Sequence, residues 1–461
     1  MYIEQLYTGC LAEAAYYIES DGEAAIIDPL RETSPYTDLA GKRNAKIKYI
    51  FETHFHADFV SGHIDLAKKT GAPIVFGPTA ETGFDSLIAK DGQEFIIGKI
   101  KLKVLHTPGH TMESSCFLLT DEQGKDHAVF TGDTLFVGDV GRPDLAIKSD
   151  LTISDLAGMM YDSLNSKIKP LADDVIVYPA HGAGSSCGKN IGKETFSTIG
   201  TQKKLNYALQ PMSKQEFIKA VTDGLSVAPN YFKLDATLNK EGYSNIDEVL
   251  KKNTKALSVQ EFEMEISKGV LVLDVRSPDD FEKGFVPAAI NIGLNGQYAP
   301  WVGALLDPER TLILVTDEGK ETEAVLRLAR VGYEKVNGYL QGGTAAWKNA
   351  GKKLETIESI SAEDFVAKLD SSINVLDVRK PGEVESGMIE NAQHICLSDL
   401  QSELHTLDKN KQYIIHCAGG YRSMMAASIM KQRGFNKIIN VLGGMGKIKA
   451  TGIKLIQPAT I

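Results

Sequence analysis

From Met1 to about Ile199, short apolar runs alternate with segments of helix-like spacing, and each run stops at a turn. Ala24 to Ile27 ends at Asp28-Pro29, Lys48 to Phe51 gives way to Thr53-His54-Phe55-His56, Ala72 to Phe76 ends at Gly77-Pro78, and Ile100 to Leu105 leads into His106. Brief β-rich runs interleaved with helical stretches predict a layered α/β domain, with polar residues gathered in the loops at strand ends. From Thr201 to about Lys252 the spacing of Phe217, Ile218 and Val221 turns helical, with a break at Ala228-Pro229-Asn230. That stretch is expected to be a helical appendage and linker.

Beyond Lys255 the pattern repeats. Val270 to Arg276 (Val-Leu-Val-Leu-Asp-Val-Arg) returns as Ile373 to Arg379 (Ile-Asn-Val-Leu-Asp-Val-Arg), Arg330 to Tyr333 as Gln432 to Phe435, and Leu340 to Gly343 as Val441 to Gly444. A period of roughly a hundred residues is the size of a domain rather than of a solenoid repeat. Each copy opens with a serine followed three residues later by an acid, Ser258 with Glu261 and Ser361 with Asp364, as in a capping box at a helix start. The expected division is therefore residues 1–252, with 201–252 as the appendage, then 253–355 and 356–461.

A chain of 461 residues is too long for a single core, in keeping with this division. Lys and Arg total 50 against 60 for Asp and Glu, a formal net charge of -10 without a long basic run, which argues against nucleic acid as a partner. No apolar stretch reaches membrane-spanning length, and Met1 to Leu6 lacks a basic segment followed by an apolar one, so a cytoplasmic chain with no membrane partner is expected. The cysteines, Cys10, Cys116, Cys187, Cys396 and Cys417, are odd in number and scattered, so any that function should act as thiols.

Candidate chemistry concentrates at the turns. His54 and His56 stand one residue apart, with Asp58 two further on, so a sharply turning loop can direct several nitrogen and oxygen donors into one volume. Downstream come Thr107-Pro108-Gly109-His110-Thr111, Thr131-Gly132-Asp133-Thr134 and Tyr178-Pro179-Ala180-His181-Gly182, each after an apolar run. Four strand-end turns offering His or Asp resemble the metallo-β-lactamase superfamily, whose αββα sandwich gathers metal ligands from such places.

Dinuclear members of that superfamily, such as glyoxalase II, carry a histidine where this chain has Phe59, so a second metal is expected to bind poorly or not at all. Two imidazoles and one carboxylate are the set expected for oxygen-activating non-heme Fe(II). The match to the persulfide dioxygenase family implies His54, His110 and Asp133 as ligands of one Fe(II) per chain. That resemblance implies oxidation of a low-molecular-weight persulfide with O2 to sulfite and thiol. His56, Asp58 and His181 either orient ligands or substrate, or are satisfied by local hydrogen bonds; His63 and His106 are expected to be structural. Arg142 either faces an anionic thiol substrate or is a solvated loop arginine, and Cys187 either carries sulfur or is a small loop residue.

Both repeat copies, entered through Leu-Asp-Val-Arg, resemble the doubly wound rhodanese domain. In the second, Tyr413-Ile414-Ile415-His416-Cys417-Ala418-Gly419-Gly420-Tyr421-Arg422 runs from an apolar strand through a glycine loop into a helix. Inward-turned backbone N–H groups, the helix N-terminus and Arg422 are expected to stabilise a Cys417 thiolate that holds transferable sulfur. The first copy has Leu312 to Val315, Thr316 and then Asp317, and Asp317 is expected at the cysteine's position, which leaves that copy silent as a spacer, docking surface or oligomerisation module. The resemblance implies sulfite or thiosulfate as a further substrate, and a homo-oligomer is expected. Two rivals stand beside this reading: a zinc thioester hydrolase of the glyoxalase II type fused to a sulfurtransferase, and a sulfane-sulfur carrier or sensor with a structural metal.

Overall fold

The computed structural model describes residues 1–145, 151–225, 227–370 and 373–457; Ser226 of the expected appendage and the last four residues of the third expected domain fall outside them. The chain forms two compact units, Met1–Val249 with Ala329–Gly332, and Leu250–Leu328 with Tyr333–Ile461, so the two repeat copies share one unit.

In the first unit two six-stranded sheets face each other. One runs in chain order through Tyr2–Thr8, Glu13–Ser20, Glu23–Ile27, Lys46–Phe51, Ile74–Phe76 and Leu87–Ile88; the other runs through Ser197–Thr198, Ile176–Pro179, Asp126–Gly132, Ser115–Thr120, Ile100–His106 and Glu94–Ile97. Tyr16, Phe51 and Val75 of one sheet pack against Phe95, Val104, Phe117 and Phe130 of the other, and the Phe51 and Phe117 rings lie 4.9 Å apart between centroids. Truncating one of these buried phenylalanines to alanine is expected to cost about 3–5 kcal/mol. Helices cover both outer faces, Ser34–Lys42 and His63–Thr70 through Tyr36, Ala40 and Leu66, and Ile153–Ser163 and Lys214–Thr222 through Ala157, Met160, Phe217 and Val221. Glu13–Ser20 is buried along its whole length, which explains its nearly continuous apolar run, whereas Ile100–His106 starts by alternating buried and exposed positions.

The second unit holds two five-stranded sheets of parallel strands. One has the order Ala256–Leu257, Val336–Leu340, Leu312–Val315, Leu271–Asp274, Ile290–Asn291; the other has Glu358–Ile360, Ile438–Val441, Tyr413–His416, Asn374–Asp377, Gln393–His394. The strand order is the same in both, as the repeated segments require. The first copy's opening serine makes a complete capping box with Glu261, while Ser361 accepts from the backbone N–H of Asp364 and donates to its carboxylate at 2.9 Å. Among the described residues no helix is long and apolar enough to cross a membrane.

Candidate metal and sulfur-transfer sites

Four strand-end turns converge in the first unit. The loop after Lys46–Phe51 carries His54, His56 and Asp58; His110 follows Ile100–His106, Asp133 follows Asp126–Gly132, and His181 follows Ile176–Pro179. The strands leading to Asp133 and His181 are parallel, which delivers both turns to one edge of their sheet. Gly132 makes the approach to the facing sheet possible, since it has φ +51° and a Cβ there would come within 2.6 Å of the Thr53 side chain.

His54, His110 and Asp133 are buried and offer ligand atoms within 4.8 Å of one another. Asp133 Oδ2 lies 3.8 Å from His54 Nε2 and 3.4 Å from His110 Nε2, yet has no hydrogen-bond partner. A fully buried carboxylate oxygen that faces two imidazole nitrogens without a hydrogen bond to either is costly unless a cation lies between them, so these residues fit a metal. Each ligand is oriented from behind. His110 Nδ1 lies 2.8 Å from the Arg142 carbonyl and donates to it, which turns Nε2 inward. His54 Nδ1 lies 2.9 Å from Thr53 Oγ1, and that hydroxyl donates to Asp28 Oδ2 at 2.9 Å, so the ring is the donor and Nε2 is again left for a metal. Burial and the neighbouring His56 hold His54 well below the usual imidazole range. Burial alone would raise the Asp133 carboxyl, but His181, His54 and His110 together pull it far below the usual carboxylate range.

The other expected residues are placed as follows. His181 lies between two carboxylates, with Nδ1 2.7 Å from Asp133 Oδ1 and Nε2 2.9 Å from Asp58 Oδ2. Burial opposes its charge, but Asp133 and Asp58 raise its pKa well above the ordinary histidine value. His56 points away from that group, with Nε2 3.2 Å from Asp28 Oδ1 and 3.7 Å from Glu52 Oε2. The Arg142 guanidinium grips Asp144 at 2.6 and 2.7 Å, and it is the residue's carbonyl that meets His110. Cys187 is buried beside Asp58 and His181, and burial followed by Asp58 and Asp133 pushes its thiol pKa well up. Of the two expected structural histidines, His63 is buried among the rings of Phe76, Phe84 and Tyr243, and His106 Nε2 meets the Met112 carbonyl.

The stretch expected to be an appendage belongs to the site. Asn239, on helix Phe232–Glu241, donates to the carbonyls of His56 at 2.7 Å and Phe59 at 2.8 Å, and accepts from the Ser61 N–H at 2.8 Å. The same helix supplies Phe232, Lys233 and Lys240 to a cavity of 680 Å³ that His110, Phe55 and Ala57 also line. No local signal in the sequence marks Asn239 or Thr53 for these roles, and Asp28 stands out only as part of a strand-end turn.

In the second unit Cys417 follows strand Tyr413–His416, and helix Tyr421–Gln432 begins four residues later. Its Sγ accepts from the Gly420 N–H at 3.1 Å and lies 3.5 Å from Ser423 Oγ. Arg422, expected beside the sulfur, forms a two-pronged pair with Glu383 at 2.6 and 2.7 Å, which leaves the backbone donor as the direct contact. The 380 Å³ pocket around Cys417 is lined by Lys380, Glu383, Gly419, Tyr421 and Arg422, and by Gln297 and Trp301 of the silent copy. Tyr421 donates to the Gly293 carbonyl at 2.6 Å, and a Cβ at Gly296 would come within 2.6 Å of its ring, so the silent copy also seats the start of the cysteine-loop helix.

Strand pairing corrects the expectation for the silent copy. Asp274 pairs with Val315 as Asp377 pairs with His416, which places Thr316, not Asp317, at the position of Cys417. Helix Glu321–Ala329 then starts five residues on, one more than in the second copy. The inserted residue was invisible to an alignment anchored on the strand motif alone.

These features define a metallo-β-lactamase-type metal domain followed by two rhodanese-like domains. The metallo-β-lactamase superfamily model matches residues 8–181, and the rhodanese-like domain model matches 258–350 and 361–451. The chain is 31% identical over 199 residues to "Persulfide dioxygenase ETHE1, mitochondrial" of Homo sapiens, covering 43% of this chain and 70% of that one. It is also 31% identical over 186 residues to "Probable hydroxyacylglutathione hydrolase glo2" of Schizosaccharomyces pombe, covering 40% and 68%. A crystal structure described as a metallo-beta-lactamase from Staphylococcus aureus subsp. aureus COL superimposes with a TM-score of 0.65 at 32% identity, over 74% of this chain and 98% of that one. The chain spans 49% to 76% of the length of the curated relatives it matches. It belongs to the metallo-β-lactamase superfamily, with two rhodanese-like domains following the metal domain.

Proposed function

We propose that the chain oxidises a low-molecular-weight thiol persulfide with O2 to sulfite and thiol at one Fe(II) held by His54, His110 and Asp133, and transfers sulfane sulfur through Cys417. The observation that carries this reading is the two-histidine, one-carboxylate face in the same chain as a cysteine cradled by a rhodanese-type loop. Iron bound there would activate O2. The residues around it have separate tasks. Thr53 and the Arg142 carbonyl keep the imidazoles turned inward, Phe55 and Phe232 offer apolar surface to the organic part of the substrate, and Lys233 offers charge complementary to a persulfide anion, Lys240 lying 3.8 Å from Glu81 and 3.9 Å from Glu241.

The overall balance is one persulfide, one O2 and one water giving one thiol and sulfite. At the second site the outer sulfur of a Cys417 persulfide passes to sulfite: the S–S bond breaks, a new bond forms in thiosulfate, and Cys417 leaves as a thiolate that the Gly420 N–H can stabilise. In reverse, thiosulfate loads Cys417 and a thiol collects the sulfur. The thioester-hydrolase reading draws on the hydrolase relative at the same identity. One experiment separates the two: iron-loaded protein is given glutathione persulfide in an oxygen electrode, and the zinc-loaded protein is given a glutathione thioester. Persulfide-dependent O2 uptake that Asp133→Ala abolishes is expected; thioester hydrolysis without O2 uptake would overturn the proposal.

A further inference from the structure

The first repeat copy keeps a cavity where the second holds its cysteine. It measures 860 Å³ against 380 Å³ around Cys417, and it lies at the carboxyl ends of the parallel strands Leu312–Val315 and Val336–Leu340, where open α/β sheets bind ligands. Its greater width has a local origin. In the second copy the Met445 N–H donates to the Cys417 carbonyl at 2.7 Å, and a Cβ on Gly444 would clash with that oxygen. In the first, a Cβ on Gly343 would stand 3.6 Å from the Thr316 carbonyl oxygen, so the glycine turn lies further from the strand end.

The lining has also changed sign. Around Cys417, Lys380 and Arg422 stand against a single carboxylate, Glu383. The first copy's cavity presents Asp280, Asp317, Glu318 and Glu321 with Arg276 and Lys283, and both of these cations are already engaged. Arg276 donates to Asp274 at 2.6 and 2.9 Å, to the Gly284 carbonyl at 2.9 Å and to Thr344 Oγ1 at 3.2 Å, while Lys283 Nζ lies 3.3 Å from Asp280. Asp317, Glu318 and Glu321 enter no ion pair among the described residues. Thr316, which lines the same cavity, is 6% exposed, and its hydroxyl has no hydrogen-bond partner among the described residues. A hydroxyl so deeply buried is costly unless something in the cavity bonds to it.

We propose that this cavity binds an extended organic polycation of the polyamine class, one ammonium group donating to Thr316 Oγ1 and the others facing Asp317, Glu318 and Glu321. The unpaired carboxylates supply the attraction, and Tyr339 adds an aromatic ring to the wall, a surface that ammonium groups favour. A compact divalent ion is the poorer match, because among the described residues these acids form no group whose ligand atoms lie within 4.8 Å of one another. The site is independent of the reactions assigned to the metal and to Cys417. The copy without a cysteine thus keeps the binding position of its fold for a ligand of the opposite charge.

The test is a calorimetric titration of full-length, metal-loaded protein with spermidine. Saturable binding of about one equivalent at this site is expected, weakening as salt is raised. Asp317→Asn combined with Glu321→Gln should weaken it by at least about tenfold. Thr316→Val, which preserves size and leaves every charge in place, should weaken it about fivefold, as loss of one hydrogen bond would. Glu363→Gln combined with Glu390→Gln removes two exposed acids of the second copy and should leave binding unchanged. Absence of saturable binding, an equal loss in that control pair, no effect of Thr316→Val, or displacement of spermidine by equimolar magnesium would each overturn the proposal.

Discussion

The two rhodanese-like copies share their scaffold down to individual side chains and differ where the sulfur is to be held. Arg276 pairs with Asp274 at 2.6 Å and donates to the Gly284 carbonyl at 2.9 Å; Arg379 does the same with Asp377 and Gly387 at the same distances. Yet the first copy has Thr316 where the second has Cys417, and its longer connection to the helix carries Asp317 and Glu318 ahead of a single glycine, Gly319, where the second has Ala418 ahead of Gly419-Gly420. Acidic side chains beside the strand end repel the anions that a sulfur-transfer site must admit, while the glycines of the second copy leave a backbone N–H free to meet the sulfur. The buried Asp-Arg pair therefore belongs to the shared architecture, and chemistry resides in the few residues after the strand. The first copy is more than a spacer, because its Gln297 and Trp301 line the pocket around Cys417.

The largest expected effect is at Cys417. Cys417→Ser should reduce enzyme-dependent thiosulfate formation by more than about a hundredfold while persulfide-dependent O2 uptake persists; unchanged thiosulfate output, after correction for the spontaneous reaction, would place sulfur transfer elsewhere. Next comes the silent copy's contribution. Trp301→Ala should raise KM for sulfur transfer about tenfold, equivalent to about 1.4 kcal/mol, with little change in O2 uptake, and steady-state kinetics on both half-reactions would show it. A smaller effect concerns pH. The Arg422 hydrogen bond holds Glu383 below the ordinary glutamate value, so their pairing stabilises the fold above the unfolded glutamate pKa and is lost as pH falls through the depressed folded value. The melting-temperature difference between wild type and Glu383→Gln should shrink below about pH 4, modestly because the pair is partly exposed to solvent. No gain is expected from Thr316→Cys placed in the Cys417→Ser background, since a thiol alone lacks the cradle; recovered thiosulfate formation would show that residue identity outweighs loop geometry.

Much of the architecture could be read from local pattern. Strand ends at Asp28, Phe51 and His106, the serine-capped helix starts and the recurrence of Leu-Asp-Val-Arg all depend on residues close in sequence, and each has its counterpart in the folded chain. What escaped depends on distance or on loop length. Asn239 reaches the His56 carbonyl across 183 positions, and periodicity carries no information about such a pairing. The one-residue difference between the cysteine loop and its counterpart in the first copy lies outside the repeated strands, so the repeat alone points to Asp317 for a place that strand register gives to Thr316. Charge marks Arg142 in the sequence, whereas its carbonyl is the part that meets His110. Backbone roles of this kind leave no mark on residue type.

The bracing of the histidine loop by Asn239 has a consequence for anyone who trims the chain. The superfamily match ends at residue 181, and the last strand of its sheets ends at Thr198, so a cut near residue 200 respects both boundaries. Such a fragment would lose the amide that satisfies three buried backbone groups of the loop, at about 1–3 kcal/mol for each group left unsatisfied. An expression clone that stops there should purify as a metal-poor, aggregation-prone product.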